Sequence, residues 1–530
     1  MAKKRNHAAT STPPAKTGSG IGVWLLVAII ISGVVCRGVE YFANRSLWLD
    51  EAALAQNVLQ ASVRDLAAGR LGGDQVAPPG FLLATRGVTV LAGSSEQALR
   101  FIPLVAGLAL LVIFGWAAWR KLGRAGALAA TALLAWSWPM IYYANEFKQY
   151  STDALIAFLL FIFREKFLTT PLSDKRMLAL AAVGMAALVF SQPAIFVLGA
   201  LGIMGWVGAI KEKQWKNFAG WTVIGLVWVA FFALQIWLSF DTALGNPALR
   251  AYHNELFLRL WPLDALIEVL RAGVLGTWVV ATAEHTWWFW LALVVIGTGM
   301  AWRKQRPEFI FITLILFFTA LASLLQFYPL TARLLLFALP LLFWLAGRGV
   351  DALADYAQPR KWGLALAALL LIAFWPLMRD RVEEARAPLA NEHLRPVVAR
   401  LATLAKPGDV VLVFDLTRYA FDYYWPRVTH AEVSEQIIKF GSDTPTPPEK
   451  MAVNIAPLLA AKPPRLWLVA THDDLGAAPD NLKNLITILR AEYPEVANFA
   501  EPNSTALGVV FYQKGQEPTL PTAVTAQKTN

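Results

Sequence analysis

A chain of 530 residues that is 57% hydrophobic, with 22 Trp and only 16% charged side chains, is too apolar for a soluble domain and reads as a polytopic membrane protein. Its formal net charge of +10 does not point to nucleic acid, because Lys and Arg fall in short clusters between apolar runs and not on one soluble face. The one Cys, Cys36, sits in the first apolar run, which excludes an internal disulfide and leaves the redox compartment open.

Residues 1–20 are polar and basic, and the run 21–38 behind them has no small-residue cleavage site, so it reads as an uncleaved anchor. A spanning helix needs about 20 apolar residues. About eleven such runs emerge, at 21–38, 101–119, 125–143, 152–168, 177–192, 193–210, 218–239, 286–302, 308–327, 330–347 and 361–377. With that assignment the clusters Lys3/Lys4/Arg5, Arg120/Lys121/Arg124, Arg164/Lys166/Lys175/Arg176, Lys211/Lys213/Lys216, Arg303/Lys304/Arg306 and Arg348/Arg360/Lys361 all fall on one side, which marks it as cytoplasmic. The stretch 78–91 is refused as a span: at roughly 14 residues it is too short to cross and it carries Arg86 at its centre, so it is expected along the interface. Counting it would turn every later basic loop outward. The polar segments 39–100, 144–152 and 240–285 then lie on the outer face.

Three stretches toward the outer face carry ionisable groups that stand out. "SLWLDEAALAQ", residues 46–56, places Asp50 and Glu51 behind Trp48, an aromatic suited to the boundary where a carboxylate can stay ionised. Acids in the first turn of a helix are also favoured by its dipole alone. "YYANEFKQYSTD", residues 142–153, gathers Glu146, Lys148, Tyr150 and Asp153, with Glu146 and Tyr150 on one face if the segment is helical. A polar turn is the plainer alternative, but two acidic clusters at one leaflet boundary suggest a shared cavity. "QFYPLTARLLLFALP", residues 326–340, sets Arg333 at the outer start of an apolar run, where it either snorkels to headgroups or holds a phosphate. Asp74, in "GGDQVAPPG", leads toward the short interfacial helix and back to Asp50. His253 and His285 have no zinc-like spacing around them and read as loop residues. Neither a phosphate-binding glycine loop nor a nucleophile elbow is present.

Beyond the last span the chain turns polar, with strand-length apolar runs at 409–415, 465–471 and 507–513 and helix-like runs at 396–405 and 481–491. The expected division is a cytoplasmic basic segment 1–20, a membrane module 21–377, an extracytoplasmic α/β domain 378–515 and a disordered Pro- and Thr-rich tail 516–530.

The phrases "SLWLDEA", "APPGFLL", "EQALRFIPLVAG", "YYANEFKQYSTDAL" and "YPLTARLLLFALPLLFWLAGRG" occur in that order, and together they resemble the bacterial membrane glycosyltransferases of the GT-C fold, related to protein O-mannosyltransferases and to the lipid A aminoarabinose transferase. The resemblance covers about residues 20 to 350. It implies an all-α polytopic membrane fold and an enzyme of the bacterial plasma membrane, acting at its outer face. Such enzymes move a hexosyl or pentosyl unit from a polyprenyl-phosphate carrier to an acceptor with inversion. It implies Asp50 as the catalytic carboxylate, with Glu51 beside it and Glu146 as the acid of the second outer loop. Lys148, Tyr150, Asp74 and Arg333 would stand near the carrier phosphate, Lys148 where the family often has Arg, so that a point charge replaces a bidentate fork. A divalent ion on Asp50 and Glu146, as in some relatives, stays open, as does the acceptor: lipid A, a polysaccharide or a protein. A transporter or flippase is the competing class; it would show charged or Gly/Pro-interrupted spans near the midplane and an inverted repeat.

Overall fold

The computed structural model describes residues 20–170, 172–356, 360–386, 392–428, 437–440, 446–471, 480–498 and 506–514. The basic N-terminal segment and the expected disordered tail lie outside the described residues.

Apolar sequence without water to solvate its backbone has to form helix, and helices account for most of the chain. In order they are α1 (Gly20–Ala43), α2 (Leu49–Gln60), α3 (Val63–Ala68), α4 (Pro79–Ala92), α5 (Glu96–Lys121), α6 (Arg124–Trp136), α7 (Trp138–Tyr142) and α8 (Tyr150–Thr169). There follow α9 (Asp174–Phe190), α10 (Ala194–Lys211), α11 (Trp215–Leu238), α12 (Pro247–His253), α13 (Leu263–Glu268), α14 (Gly276–Thr282), α15 (Trp287–Lys304) and α16 (Arg306–Leu324). The last are α17 (Leu339–Tyr356), α18 (Arg360–Arg386), α19 (Leu394–Leu404), α20 (Arg418–Val428), α21 (Pro448–Ala460) and α22 (Asn481–Glu492).

Among the described residues eight helices are long and apolar enough to cross a membrane, or nine if the bent pair α6–α7 is one span. Each of the eleven expected spans coincides with a helix. Three miss the length or hydropathy mark: α9 has only 17 residues, α8 carries Asp153, Arg164, Glu165 and Lys166, and α15 opens on Trp and ends on Arg303 and Lys304. One apolar helix falls where a loop was expected. Leu263–Thr282, formed by α13, a π-helical turn at Val269–Leu275 and α14, is 20 residues long. Its flanks stay at one end of the bundle: Leu256 O accepts from Leu330 N at 2.8 Å, Leu258 N donates to Ser323 Oγ, and Trp278 Nε1 donates to Trp287 O. The stretch refused as a span is the 14-residue α4, opened by Pro79 and held by Arg86, whose guanidinium donates to the Val58 and Leu59 carbonyls left open at the end of α2.

Basic loops gather at the opposite end. There Glu308 takes Arg164 and Arg348, both at 3.1 Å, Lys121 meets Glu165, and Asp351 caps the start of α6 by accepting from Gly123 N and Gly126 N.

The break between α6 and α7 bends the chain by 61° and aims it at the other end of the bundle. Pro139 cannot continue the ladder of hydrogen bonds, so carbonyls are left over. Arg37, buried inside α1, takes three carbonyls there, donating to Leu134 O, Ala135 O and Met140 O at 3.1 Å, and also bonds Gly33 O of its own helix at 2.9 Å. Gly107 of α5 then lets the next turn, Tyr143–Asn145, come close, since a Cβ there would lie 2.6 Å from that of Ala144.

The C-terminal residues form a five-stranded sheet of order β2-β1-β3-β5-β4, with β1 (Val410–Phe414), β2 (Ile437–Phe440), β3 (Arg465–Ala470), β4 (Glu495–Asn498) and β5 (Leu507–Tyr512). The β1, β2 and β3 strands are parallel, Val411 opposite Ile437 and Trp467, while β5 runs antiparallel between β3 and β4. One face buries α21 and α22. The other shares a single apolar core with the site end of the bundle: Leu54, Ala55 and Val58 of α2, Phe81 of α4 and Phe147 pack in one cluster with Val397, Leu401, Phe421, Tyr424 and Trp467. At about 1.5–3 kcal/mol for each large apolar side chain fully buried, this shared core makes sheet and bundle end one unit.

Candidate active site

Helix α2 has no side chain of its own on its first amides, because Trp48 stands where a Ser or Asp would cap. Its start is held from far along the chain instead. Leu49 N donates to Glu392 Oε2 at 2.9 Å, Leu47 N to the Tyr424 hydroxyl at 2.7 Å, and Ser46 Oγ lies 2.9 Å from His393 Nδ1. Arg395 adds an ion pair to Glu96 and a bond to Asn44 O.

Adjacent residues on a helix point about 100° apart, and the two acids separate accordingly. Asp50 faces a half-open cleft, where Arg333 Nη1 stands 2.7 Å and Lys148 Nζ 3.8 Å from Oδ2. Gln75 bridges them, its Nε2 3.4 Å from Asp50 Oδ1 and its Oε1 accepting from Lys148 Nζ at 2.5 Å. Glu51 turns inward and is fully buried; Arg100 grips it with Nε at 2.8 Å and Nη2 at 2.5 Å, and Phe147 N donates to it at 2.6 Å. Expected beside Asp50 in the chemistry, Glu51 has its oxygens committed to tying α2, α5 and the Glu146–Lys148 turn together. Asp74 departs further from expectation: it is exposed, at φ 55°, and bonds Asn246, while its neighbour Gln75 reaches the cleft.

Glu146, Lys148 and Tyr150 are all buried beside this cleft, the Tyr150 ring edge-on to Tyr143 at 5.2 Å. Neither carboxyl oxygen of Glu146 has a hydrogen-bond partner. Arg45 covers the same turn, its guanidinium 4.1 Å over the Tyr142 ring and bonded to Asn145 O. His253, read from sequence as a loop residue, is half-buried within range of the Arg333 and Asp50 charges, and burial pushes its imidazole below the ordinary value.

Burial works against charge on Asp50, but Lys148 and Arg333 outweigh it and hold the carboxyl below the usual carboxylate range. Glu51 is likewise held down, burial being outweighed by Arg100. Burial, aided by Glu51, raises Glu146 to about 7, and burial lowers Lys148 despite Asp50. The cleft thus keeps Asp50 ionised next to two cations, with a second carboxyl that titrates near neutrality. A divalent ion fits this donor set poorly: Asp50 already faces Arg333 and Lys148, and no group of three His, Cys, Asp or Glu converges among the described residues.

The raised Glu146 value has a measurable consequence. Between the ordinary 4.5 of the unfolded chain and about 7, the folded protein holds a proton that the unfolded chain has released. That contribution to stability is complete below about pH 4.5 and is lost as pH rises through 7, an effect on the order of 3 kcal/mol. We expect the thermal midpoint of the solubilised protein to fall across pH 5 to 7.5 and Glu146→Gln to flatten that slope; an equal slope in the variant assigns it to another group.

Neither a family model nor a curated protein matches the chain by sequence. Solved structures match it by shape. ArnT from Cupriavidus metallidurans in the apo state aligns at TM-score 0.52 and 13% identity, covering 93% of this chain and 98% of that one. The archaeal oligosaccharyltransferase AglB from Archaeoglobus fulgidus, in complex with an inhibitory peptide and a dolichol-phosphate, aligns at 0.51 and 10%, covering 95% of this chain and 76% of that one. A second structure of the Archaeoglobus fulgidus oligosaccharyltransferase, in the apo form, aligns at 0.50 and 12%, covering 94% and 75%. The chain is a multi-pass membrane protein with the GT-C fold of these glycosyltransferases.

Proposed function

We propose that this protein is a membrane glycosyltransferase that takes a sugar from a polyprenyl-phosphate carrier and passes it, with inversion, to an acceptor hydroxyl at the outer face of the bacterial plasma membrane. The observation that carries the reading is Asp50, ionised and paired with Arg333 and Lys148 at one end of an apolar helix bundle. A carboxylate beside two cations suits a reaction in which a proton leaves one reactant while negative charge grows on a phosphate. The dolichol-phosphate in the AglB complex supports a lipid-phosphate donor.

In this mechanism the acceptor oxygen attacks the anomeric carbon as its proton passes to Asp50. The bond from that carbon to the phosphate oxygen breaks, its electron pair stays on the carrier phosphate, and one displacement inverts the centre. A carboxylate held low by two cations is a weak base. The incoming phosphate corrects this by taking up part of the charge of Arg333 and Lys148, leaving Asp50 more basic when the substrate is in place. Gln75 holds Lys148 toward Asp50 throughout. Glu51 acts as a positioning residue through Arg100 and the Phe147 amide. The bundle end lets the isoprenoid tail remain in hydrocarbon while its phosphate meets water.

Deleting the gene and comparing lipid A, surface glycans and envelope proteins by mass spectrometry is expected to show one class lacking a hexose, pentose or amino-sugar mass. Unchanged envelopes, together with no transfer by purified protein in proteoliposomes, would overturn the reading; transport driven by a proton gradient would move it to the transporter class. Arg333→Ala is expected to lower kcat/KM for the carrier about 10- to 100-fold, as loss of a charge-assisted contact does, with Arg333→Lys recovering part.

A further inference from the structure

The segment between α11 and α13 links two loops that frame the cleft. Toward one of them, Thr242 Oγ1 donates to Gly69 O and Asn246 Nδ2 to Asp74 Oδ1 at 2.7 Å, next to Gln75. Toward the other, Arg250 donates to Gln326 Oε1, Leu256 O accepts from Leu330 N and Leu258 N donates to Ser323 Oγ, along the stretch that leads to Arg333. Helix α12 therefore bridges the chain that supplies Gln75 and the chain that supplies Arg333 to Asp50. Its last residue, His253, is half-buried and takes no part in the reaction just described. The ring is fixed. Nδ1 lies 2.9 Å from Leu249 O, and a carbonyl only accepts, so the proton of the neutral imidazole sits on Nδ1. Nε2 bonds none of the described residues and is the nitrogen open to a ligand.

Burial and the charge of Arg333 both disfavour protonation of this ring, and Asp50 opposes them. Its own helix brings Arg250, occupied by Gln326, and Tyr252, whose ring stands edge-on at 4.9 Å. Glu255 in the following turn is exposed, and Arg259 is bonded to Asn254. With Asp50 set against Arg333 and Lys148, the cleft holds one net positive charge and the imidazole stays neutral. A carrier phosphate on Arg333 reverses that balance. It offsets the repulsion, and once its sugar has left it carries a charge of about −1.5 to −2. The imidazolium then becomes the favoured form, and Nε2 gains the N–H that a phosphate oxygen accepts from. Capping the last turn of α12 explains the bond at Nδ1, but it does not call for a ring that ionises beside Arg333.

We propose that His253 is a third ligand of the carrier phosphate beside Arg333 and Lys148, one that takes up a proton as the phosphate binds. This rests on the glycosyltransferase reading and adds to it a group that is charged only when the phosphate is present. By linkage, a proton on His253 favours the phosphate as much as the phosphate favours the proton. Affinity is therefore highest at low pH, where the ring is charged before the carrier arrives. It falls as pH rises past the titration of the occupied site. A shift of one pH unit between the empty and the occupied site corresponds to about a tenfold change in affinity.

The test uses the full-length protein in nanodiscs, with undecaprenyl phosphate as the probe and its affinity measured from about pH 5.5 to 8.5. His253→Asn keeps a nitrogen donor for Leu249 O and removes Nε2. Wild type and variant are expected to bind alike at the high end, which certifies the fold, while toward the low end the wild type gains about tenfold over the variant. The second ionisation of the phosphate and the titration of Glu146 act on both proteins and drop out of the difference. Calorimetry near pH 7 in buffers of different ionisation enthalpy is expected to show the wild type taking up as much as about half a proton more. If His253→Asn does not fold, His253→Lys, charged throughout, is expected to bind more tightly than wild type at the high end; binding no tighter overturns the ligand. Equal pH slopes in wild type and His253→Asn overturn it, as does a variant weakened equally at every pH. So does a slope that disappears in Glu146→Gln and persists in His253→Asn. Each of these leaves the glycosyltransferase reading standing, because the carrier still binds. Failure to bind any polyprenyl phosphate overturns both.

Discussion

Asp50→Asn is expected to lower kcat about 10²- to 10⁴-fold, the contribution of a positioned general base, while the protein inserts and purifies as before. Asn matches Asp in size, and its one carbonyl oxygen still accepts from Arg333, while the amide that replaces the other oxygen gives up only the longer contact to Gln75. What changes is charge. Arg333 and Lys148, 2.7 and 3.8 Å from the carboxylate, lose their counter-ion and become free to hold the carrier phosphate. Binding of undecaprenyl phosphate should therefore be retained or tightened while turnover collapses, a split that distinguishes loss of a base from general damage. Single-turnover assays with labelled donor, alongside lipid binding, measure both halves. Wild-type turnover in the variant would remove Asp50 from the chemistry.

The second large effect belongs to stability. Arg100→Ala leaves the Glu51 carboxylate buried with only the Phe147 amide, after two bonds at 2.8 and 2.5 Å have gone. Arg100 also donates to Arg45 O and Ser46 O, so the approach to α2 loosens as well. Breaking a buried pair from one side costs about 3–5 kcal/mol, against about 0–1 for exposed pairs. We expect a lowered thermal midpoint and yield for Arg100→Ala, far beyond that of Lys121→Ala, whose pair with Glu165 is exposed. The double variant Glu51→Met/Arg100→Met should recover part of the loss, because no unpaired charge remains. A midpoint for Arg100→Ala equal to wild type would mean that the pair does not hold the helix.

The site was legible in sequence where an ionisable group stands out against apolar surroundings. Asp50, Lys148 and Arg333 each stand out in that way, and the structure joins all three. Gln75 was missed by one position, since a neutral amide in a polar loop has no contrast with its neighbours and the acid Asp74 drew the attention. Glu51 resembles Asp50 in every local respect; only the inward turn toward Arg100, 49 residues on, separates their roles. The expected strands at 409–415, 465–471 and 507–513 appear as β1, β3 and β5, whose apolar runs are buried on both faces. The edge strands β2 and β4 have four residues each and were not anticipated; an edge needs no long apolar run. Leu263–Thr282 was hidden because Asp264, Glu268 and Arg271 crowd its first half, and the broken, partly π-helical backbone there departs from a regular apolar period.

The groups that hold the start of α2 arrive late. Glu392 and His393 lie 343 and 347 residues beyond the atoms they bind. At a ribosomal rate of roughly 5–20 residues per second they emerge on the order of 20–70 s after the segment they complete. For that interval the newly made bundle carries Asp50 on a helix with an open start. Synthesis order thus acts as a timer, and a chain stalled before Glu392 would sit in the bilayer with the start of α2 unfinished.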